Sequence, residues 1–336
     1  MVFRCDATME IALGHLKRCL SLAEAFQEIR RESVFLCFDE PAAREVLNGL
    51  PFRAIWLPDP VNRGNDAKAT ATVLGNLGSD MVIVDSYEID AEYFDYLHQA
   101  GLRIIYFEDE AKTDWVVDAI INGTLGAERL RYNAPLALMG PAYLVLGRDY
   151  WNGGEGPCRP EASTVEIMIT MGGIDHYDLT SRTLVILDRL KGPLKIHVVI
   201  GLYYENIANI DAAVARCRHE TVIHDKPPGL ADLIRRCNAA VSAGGVTLYE
   251  LARFGVPAIG IWLWENQRQN TECLGKAGVI FPLAYEDGPE FDKSLEAAIK
   301  VLLYDPYKRE KMRLTGLATV DGQGAFRVAD ALVKFQ

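Results

Sequence analysis

Several short segments carry the residue types that chemistry needs, and each follows a run that reads as a β-strand. The first runs from Arg4-Cys5-Asp6 through Ile11-Ala12-Leu13 to Gly14-His15. Gly14 allows a tight turn into a helix, and His15 falls in that helix's first turn. The positive end of the helix dipole disfavours an imidazolium there. The expected result is a lowered pKa and a neutral imidazole able to take a proton. The competing reading is a histidine that only packs against the neighbouring loop. No GxGxxG occurs here, so this is not a dinucleotide fingerprint.

The second segment is Asp85-Ser86-Tyr87. Tyr87 could position a substrate or donate a hydrogen bond, while Asp85 or Ser86 could equally cap a helix. The third, Glu108-Asp109-Glu110, could raise carboxyl pKa values or bind a cation, but a solvated acidic turn is the heavier reading. The fourth is Gly172-Gly173-Ile174-Asp175. The fifth, Ser242-Ala243-Gly244-Gly245-Val246-Thr247, leads to Glu250 and is the strongest. Gly244 and Gly245 have no side chains to obstruct a phosphate, and amides at a helix start can hold a diphosphate. Glu250, one turn on, could accept hydrogen bonds from ribose hydroxyls. A plain glycine-rich turn is the alternative. The sixth is Trp264-Glu265-Asn266-Gln267, whose polar groups could fix a sugar or base, unless Asn266 merely caps a helix starting near Gln267.

These segments need elements to hold them. Strands are expected over 2–5, 33–38, 53–57, 81–85 and 103–107, with helices over 15–29, 41–47, 67–77 and 91–100. Residues 151–163, rich in glycine and proline, read as a linker. The alternation then restarts, with strands over 165–170, 195–200, 221–224, 239–242, 258–261 and 279–282. Helices are expected over 179–190, 206–216, 230–236, 247–254 and 267–276, and the tail from 289 onward is helical. Repeated βαβ units predict an α/β fold: two Rossmann-like, doubly wound parallel-sheet domains facing a central cleft. The expected divisions are 1–155, 163–315, and a C-terminal helix over 316–336 that can cross back to the first domain.

Bulk properties narrow the classes. The 336 residues fit about two domains. Acidic residues number 46 against 35 basic, a net charge of −11, which argues against a nucleic-acid or anionic-membrane binder. The seven cysteines, Cys5, Cys19, Cys37, Cys158, Cys217, Cys237 and Cys273, form no CxxC pair. They read as buried thiols in a reducing compartment rather than disulfides or a zinc site. His98, His197 and His219 read as structural, while His176 and His224 lie at strand ends and stay weak candidates. No metal-ligand spacing is present, and no cofactor is expected. No apolar run reaches the ~18 residues of a membrane span, and no signal peptide is evident. The expected location is therefore the cytoplasm, with the protein a monomer or homodimer.

Taken in order, the motifs resemble a known family. Arg4-Cys5-Asp6, Gly14-His15-Leu16-Lys17-Arg18-Cys19-Leu20, Val84-Asp85-Ser86-Tyr87, Gly172-Gly173-Ile174-Asp175, Ala243-Gly244-Gly245 through Glu250, and Glu265-Asn266-Gln267 carry the likeness. The chain resembles the pseudaminic-acid-pathway UDP-sugar hydrolases and the related spore-coat polysaccharide proteins, both similar to the GT-B enzyme that makes lipid II. The resemblance implies metal-independent, inverting hydrolysis of a UDP-activated amino or deoxy sugar. It implies that His15 activates water and Tyr87 helps hold the sugar. It further implies that Gly244, Gly245 and Glu250 hold diphosphate and ribose, and that Asn266 contacts the donor. Arg4, Asp6, Gly14, Asp85, Gly172, Gly173, Asp175, Ser242, Val246, Thr247, Glu265 and Gln267 complete the expected substrate-binding set. The chain departs from the pattern at Ala12, Ser86, Val246 and Gly147-Arg148. A glycosyltransferase on the same scaffold, with His15 deprotonating an acceptor hydroxyl, is the alternative reading. A non-catalytic nucleotide-sugar-binding protein is a further one.

Overall fold

The computed structural model describes residues 1–6, 13–57, 65–153 and 164–335. By internal contacts the chain divides into two compact units, Met1–Trp151 with Gly322–Gln336, and Asn152–Asp321.

Unit 1 is built on a seven-stranded sheet. Its strands are β1 (Val2–Cys5), β2 (Val34–Phe38), β3 (Arg53–Leu57), β4 (Met81–Asp85), β5 (Arg103–Phe107), β6 (Ala119–Asn122) and β7 (Leu136–Met139). They lie in the order β3-β2-β1-β4-β5-β6-β7, every pair parallel. Parallel strands are covered on both faces, so they read as continuous apolar runs. Successive side chains still alternate between the faces. Phe3, Cys5, Phe35, Cys37 and Ile83 enter one core, and Val2, Leu36, Val82 and Val84 enter the other. Helix α1 (Gly14–Glu28) supplies Leu16, Cys19, Leu22, Ala23 and Phe26 to the first core. On the opposite face, α3 (Asp66–Leu77) and α4 (Ala91–Gln99) supply Leu74, Phe94 and Leu97. Asp90 starts α4 by accepting from the Tyr93 N–H at 2.9 Å, an N-cap that satisfies one orphan donor. A short helix, α2 (Pro41–Leu47), links β2 to β3.

Strands β6 and β7 were outside the expected set. Each has four residues, and no α-helix separates them from the preceding strand, only a 3-10 turn at Ala127–Arg129 between β6 and β7, so the alternation that marks βαβ units fails there. Trp151, expected to open a linker, is instead buried in unit 1. Its indole N–H donates to the Leu146 carbonyl at 2.9 Å, and its ring lies 4.6 Å from that of Phe326. The rest of that expected linker, and Cys158, fall outside the described residues from 154 onward.

Unit 2 carries a six-stranded sheet. Its strands are β8 (Val165–Thr170), β9 (Leu194–Ile200), β10 (Glu220–Asp225), β11 (Ala239–Ala243), β12 (Ala258–Trp262) and β13 (Ile280–Ala284). The order is β10-β9-β8-β11-β12-β13, again all parallel. Helices α5 (Leu179–Asp188), α6 (Ile207–Arg216), α7 (Ala231–Arg236), α8 (Thr247–Arg253), α9 (Glu265–Ala277), α10 (Pro289–Tyr304) and α11 (Pro306–Thr319) follow or join these strands. The last helix, α12 (Gly324–Phe335), belongs to unit 1 and packs on α1. Its Val328, Ala329 and Leu332 are buried with Phe26 and Leu22. Gly324 makes the approach possible: a Cβ there would meet the Leu144 carbonyl oxygen at 2.0 Å.

Both sheets reverse winding direction once. In unit 1 the reversal lies between β1 and β4, and in unit 2 between β8 and β11. Loops leaving such neighbouring strands splay apart and open a crevice beyond their carboxyl ends. The loops after β1 and β4 carry His15 and Tyr87, and those after β8 and β11 carry Gly172 and Gly244.

Candidate functional site

In unit 1 the site is a buried cluster of charge. His15, in the first turn of α1, hydrogen-bonds through Nδ1 to Oδ1 of Asp85, the last residue of β4. Asp85 is fully buried and His15 nearly so. Arg18 lies three residues after His15, on the same helix face. Its Nε donates to Asp85 Oδ2 at 2.8 Å and its Nη2 to Oδ1 at 2.7 Å. Its Nη1 donates to Asp109 Oδ2 at 2.8 Å, and the guanidinium lies 4.7 Å from the centre of the Phe107 ring. The Cys19 thiol points at Asp85 Oδ2 from 3.7 Å. The Tyr87 ring meets His15 edge-on, with centroids 4.4 Å apart.

The electrostatics correct the expectation for His15. Burial pushes its pKa down, as a helix start would, but the Asp85 charge and hydrogen bond outweigh this and raise it above 6.5. The nearest full charge decides, because it sits in direct contact while the helix dipole is diffuse. Burial would push Asp85 up, yet Arg18 and His15 hold it well below the usual carboxylate range. Burial and then Asp109 push the Tyr87 hydroxyl well above its ordinary value, which leaves a protonated phenol. An aspartate on Nδ1 fixes that nitrogen as the donor and leaves Nε2 to accept a proton.

Arg4 and Asp6 sit differently from expectation. Arg4 is fully buried, donating to Asp6 Oδ1 at 2.6 Å and to Asp66 Oδ2 at 2.7 Å, over the Phe38 ring. Asp66 in turn accepts from Thr70 at 3.1 Å. The enclosed guanidinium ties Asp6, just past β1, to Asp66 at the start of α3. Gly14 is exposed beside His15 and meets no neighbour. The acidic turn is not solvated as expected, for Glu108 is buried. Its Oε1 accepts the backbone N–H of Glu110 (2.9 Å) and Lys112 (3.0 Å), and its Oε2 accepts from Tyr132. Ala12 lies outside the described residues.

In unit 2, Gly172 and Gly173 turn the chain after β8, and Asp175 is buried beneath them. Its two oxygens accept the N–H groups of Leu179 (2.9 Å) and Thr180 (2.8 Å), so its carboxylate is committed to starting α5. Ser242 is likewise buried, donating to the Ala243 carbonyl at 3.0 Å. After β11, Gly244 passes against α9: a Cβ would meet Thr271 Oγ1 at 2.6 Å and Trp262 Cα at 3.3 Å. Gly245 has open space around it, but its N–H donates to the Ala243 carbonyl at 2.9 Å. Of the two glycine amides expected to face a phosphate, that one is therefore engaged. Val246 is exposed, Thr247 half-buried, and Glu250 stands half-buried one turn into α8.

The helix after β12 begins at Glu265, two residues before the expected start, with Trp264 as its N-cap residue. Asn266 therefore lies exposed in the first turn and caps nothing. Glu265 pairs with Arg268 at 3.4 Å, and the Gln267 side-chain carbonyl accepts the Leu263 N–H at 3.0 Å.

Sequence reasoning gave no role to Arg18, and read Asp109 as part of an acidic turn, solvated or cation-binding, rather than as a partner of Arg18. The i, i+3 spacing from His15 is the signal that points to Arg18. That reasoning named His176 and Trp264 separately but passed over Tyr177 and Tyr285, which join them in a group of rings following β8, β12 and β13. Tyr177 lies 4.3 Å from Tyr285 and 5.9 Å from Trp264, which in turn is 5.8 Å from His176. Aromatic residues in the segments that follow three strands were its signal. His224 joins a separate pair instead, its Nε2 3.0 Å from His197 Nδ1, while His197 Nε2 meets Glu166 at 2.9 Å. Among the described residues no group of three or more His, Cys, Asp or Glu side chains could hold a metal ion, and no helix is long and apolar enough to cross a membrane.

Comparison with known proteins places the fold. No family model matches the chain. It is 23% identical over 344 residues to the spore coat polysaccharide biosynthesis protein SpsG of Bacillus subtilis, covering 97% of this chain and 96% of that protein. It is 23% identical over 278 residues to an uncharacterised protein of Methanocaldococcus jannaschii, covering 79% of this chain. The chain spans 56% of that relative's length. Among solved structures, MurG of Acinetobacter baumannii superposes with a TM-score of 0.73 at 15% identity, over 99% of each chain. A UDP-glucosyltransferase from Polygonum tinctorium gives 0.70 at 14%, over 99% of this chain and 97% of that one. The fold is that of the GT-B glycosyltransferases, two parallel-sheet α/β units. The spore coat polysaccharide biosynthesis protein is a distant relative of the chain by sequence.

Proposed function

We propose that the protein transfers a sugar from a nucleotide-sugar donor in the making of a surface polysaccharide or a related glycan. The observation that carries this reading is the His15–Asp85 pair. A nearly buried imidazole, held at Nδ1 by a fully buried carboxylate, is built to accept a proton at Nε2. An acceptor hydroxyl gives its proton to Nε2 as its oxygen attacks the anomeric carbon. The bond from that carbon to the diphosphate breaks, and its electron pair leaves with the phosphate oxygen. Asp85 then stabilises the imidazolium. Attack opposite the leaving group inverts the anomeric centre. Tyr87 lies against the imidazole with its hydroxyl protonated, which suits it to donate a hydrogen bond to the sugar. In unit 2 we assign the diphosphate to the Gly244–Thr247 turn and the ribose to Glu250. Asn266, exposed at the start of α9, is assigned to the donor sugar. No group in this scheme calls for a cofactor or metal.

Water as the acceptor is the second reading, making the protein a UDP-sugar hydrolase. It is favoured by the Gly14–Leu20 motif, in which His15 stands where that family's water-activating histidine does. One experiment tests both. Purified protein is incubated with a panel of UDP-sugars, with and without acceptor glycans, and UDP release is followed. Release only with an acceptor supports transfer, and rapid release without one supports hydrolysis. His15→Ala should remove turnover while leaving UDP binding, read by thermal shift, nearly intact. An unchanged rate in that variant sinks the assignment of the base.

A further inference from the structure

We propose that Arg18 and Asp109 are positioning residues that aim the Asp85 carboxylate at His15 and set how readily His15 takes a proton. The proposal rests on the reading of His15 as the base. Arg18 grips both oxygens of Asp85, at 2.8 and 2.7 Å, so the carboxylate cannot rotate and Oδ1 stays on Nδ1 of His15. Its remaining nitrogen, Nη1, is anchored by Asp109 at 2.8 Å, and the Phe107 ring lies against the guanidinium. The base and its clamp therefore stand on one turn of α1, and the clamp is fixed from the loop after β5.

Charge counting gives the clamp a second role. Among the described residues, the groups facing His15 and Asp85 are Arg18 and Cys19 from α1, Cys5 from β1, Tyr87 from the loop after β4, Tyr106 from β5 (its hydroxyl pushed by burial well above its ordinary value, so neutral), and Asp109. Burial first pushes the Cys19 thiol up to about 11, and Cys5 lies well above its ordinary value, so both thiols are neutral. Tyr87 is neutral too. That leaves one positive group, Arg18, and two negative ones, Asp85 and Asp109. With a neutral imidazole the cluster carries a single net negative charge, and with an imidazolium it is balanced. Uptake of one proton therefore balances the charge of the described groups. Removing Arg18 leaves two uncompensated carboxylates and should hold the proton on His15 to higher pH. Removing the Asp109 charge should release that proton at lower pH.

Titration of the histidine Cε1–H resonances by NMR, on the full chain, tests this without any substrate. The chain has 6 histidines, and His15→Gln identifies the signal. Against the parent, Arg18→Gln should raise the His15 midpoint by about one unit and Asp109→Asn should lower it by a comparable amount. Arg18→Lys keeps the charge but loses the two-point grip, so its midpoint should stay near the parent's while UDP release slows. Opposite shifts in the first two variants support the proposal. Midpoints that stay put, or move together, overturn it. Should Arg18→Gln not fold, as its amide spectrum would reveal, a midpoint in Asp109→Asn that fails to fall overturns it alone. The base assignment fails separately, if His15→Gln keeps the parent's rate.

Discussion

Replacing Asp85 by asparagine changes one atom and should disable the site in two measurable ways. The side chain is fully buried, with Arg18 on both oxygens and His15 on Oδ1. Removing one partner of a buried ion pair costs about 3–5 kcal/mol, because the other charge is stranded. Asparagine still offers Arg18 one acceptor, and Asp109 still holds Nη1, so the lower end applies, about 3 kcal/mol. With a urea dependence of about 1–3 kcal/mol per molar, the unfolding midpoint should fall by about 1–3 M. The rate should fall further than the fold. An amide turned towards His15 can donate to Nδ1, which puts the imidazole proton on Nε2 and blocks the nitrogen that must accept. An aspartate-to-asparagine change beside a catalytic histidine costs about four orders of magnitude by this route. The assay is UDP release per folded molecule, with folding followed by circular dichroism in urea. A folded Asp85→Asn protein within about tenfold of the parent rate would refute the tautomer argument.

Other outcomes follow from the packing and the charges. Burial, then His197 and Arg236, lower the pKa of His224 below 6.5. The unfolded chain therefore binds the proton more tightly, and the associated stability, whole above pH 6.5, is lost as pH falls through the folded value. His224→Gln should flatten that acid limb in urea unfolding at stepped pH. Gly244→Ala forces a Cβ to 2.6 Å from Thr271 Oγ1 and 3.3 Å from Trp262 Cα, and should cost about 1–3 kcal/mol. A melting temperature equal to the parent's would show that the α9 contact yields freely. Leu332→Ala, at a fully buried position of α12, should cost about 2–5 kcal/mol in chemical unfolding followed by circular dichroism.

The sheet strands flanked by helices were legible because their patterns are strong. Met81–Val84 is an unbroken apolar run ending at Asp85, Ala239–Val241 is a shorter one closed by Ser242 and the Gly244-Gly245 turn, and α1 shows one broad apolar face. Strands β6 and β7 were not legible, since each is too short for a period and no α-helix punctuates it, whereas the equally short β1 leads into α1. In the site, His15, Asp85 and Tyr87 could be named from their positions after strands, but not their mutual roles. Asp85 reads in sequence as a cap or a ligand. Only the parallel register, which puts Cys5 opposite Asp85, shows that the ends of β1 and β4 lie side by side. The same limit applies to Asp175 and Ser242. Their types suggest ligand contacts, but folding spends their oxygens on neighbouring backbone.

The return of α12 to unit 1 has a consequence for how the protein is made. Unit 2 is a single continuous stretch, so it can fold as soon as it has left the ribosome. Unit 1 cannot, since the helix that covers Leu22 and Phe26 of α1 is translated only after the whole of unit 2. Through that interval the apolar face of α1 that α12 covers waits for its cover, the kind of transiently exposed surface that makes folding intermediates prone to aggregate. A circular permutant that joins α12 directly ahead of β1 would let the unit holding His15 close first.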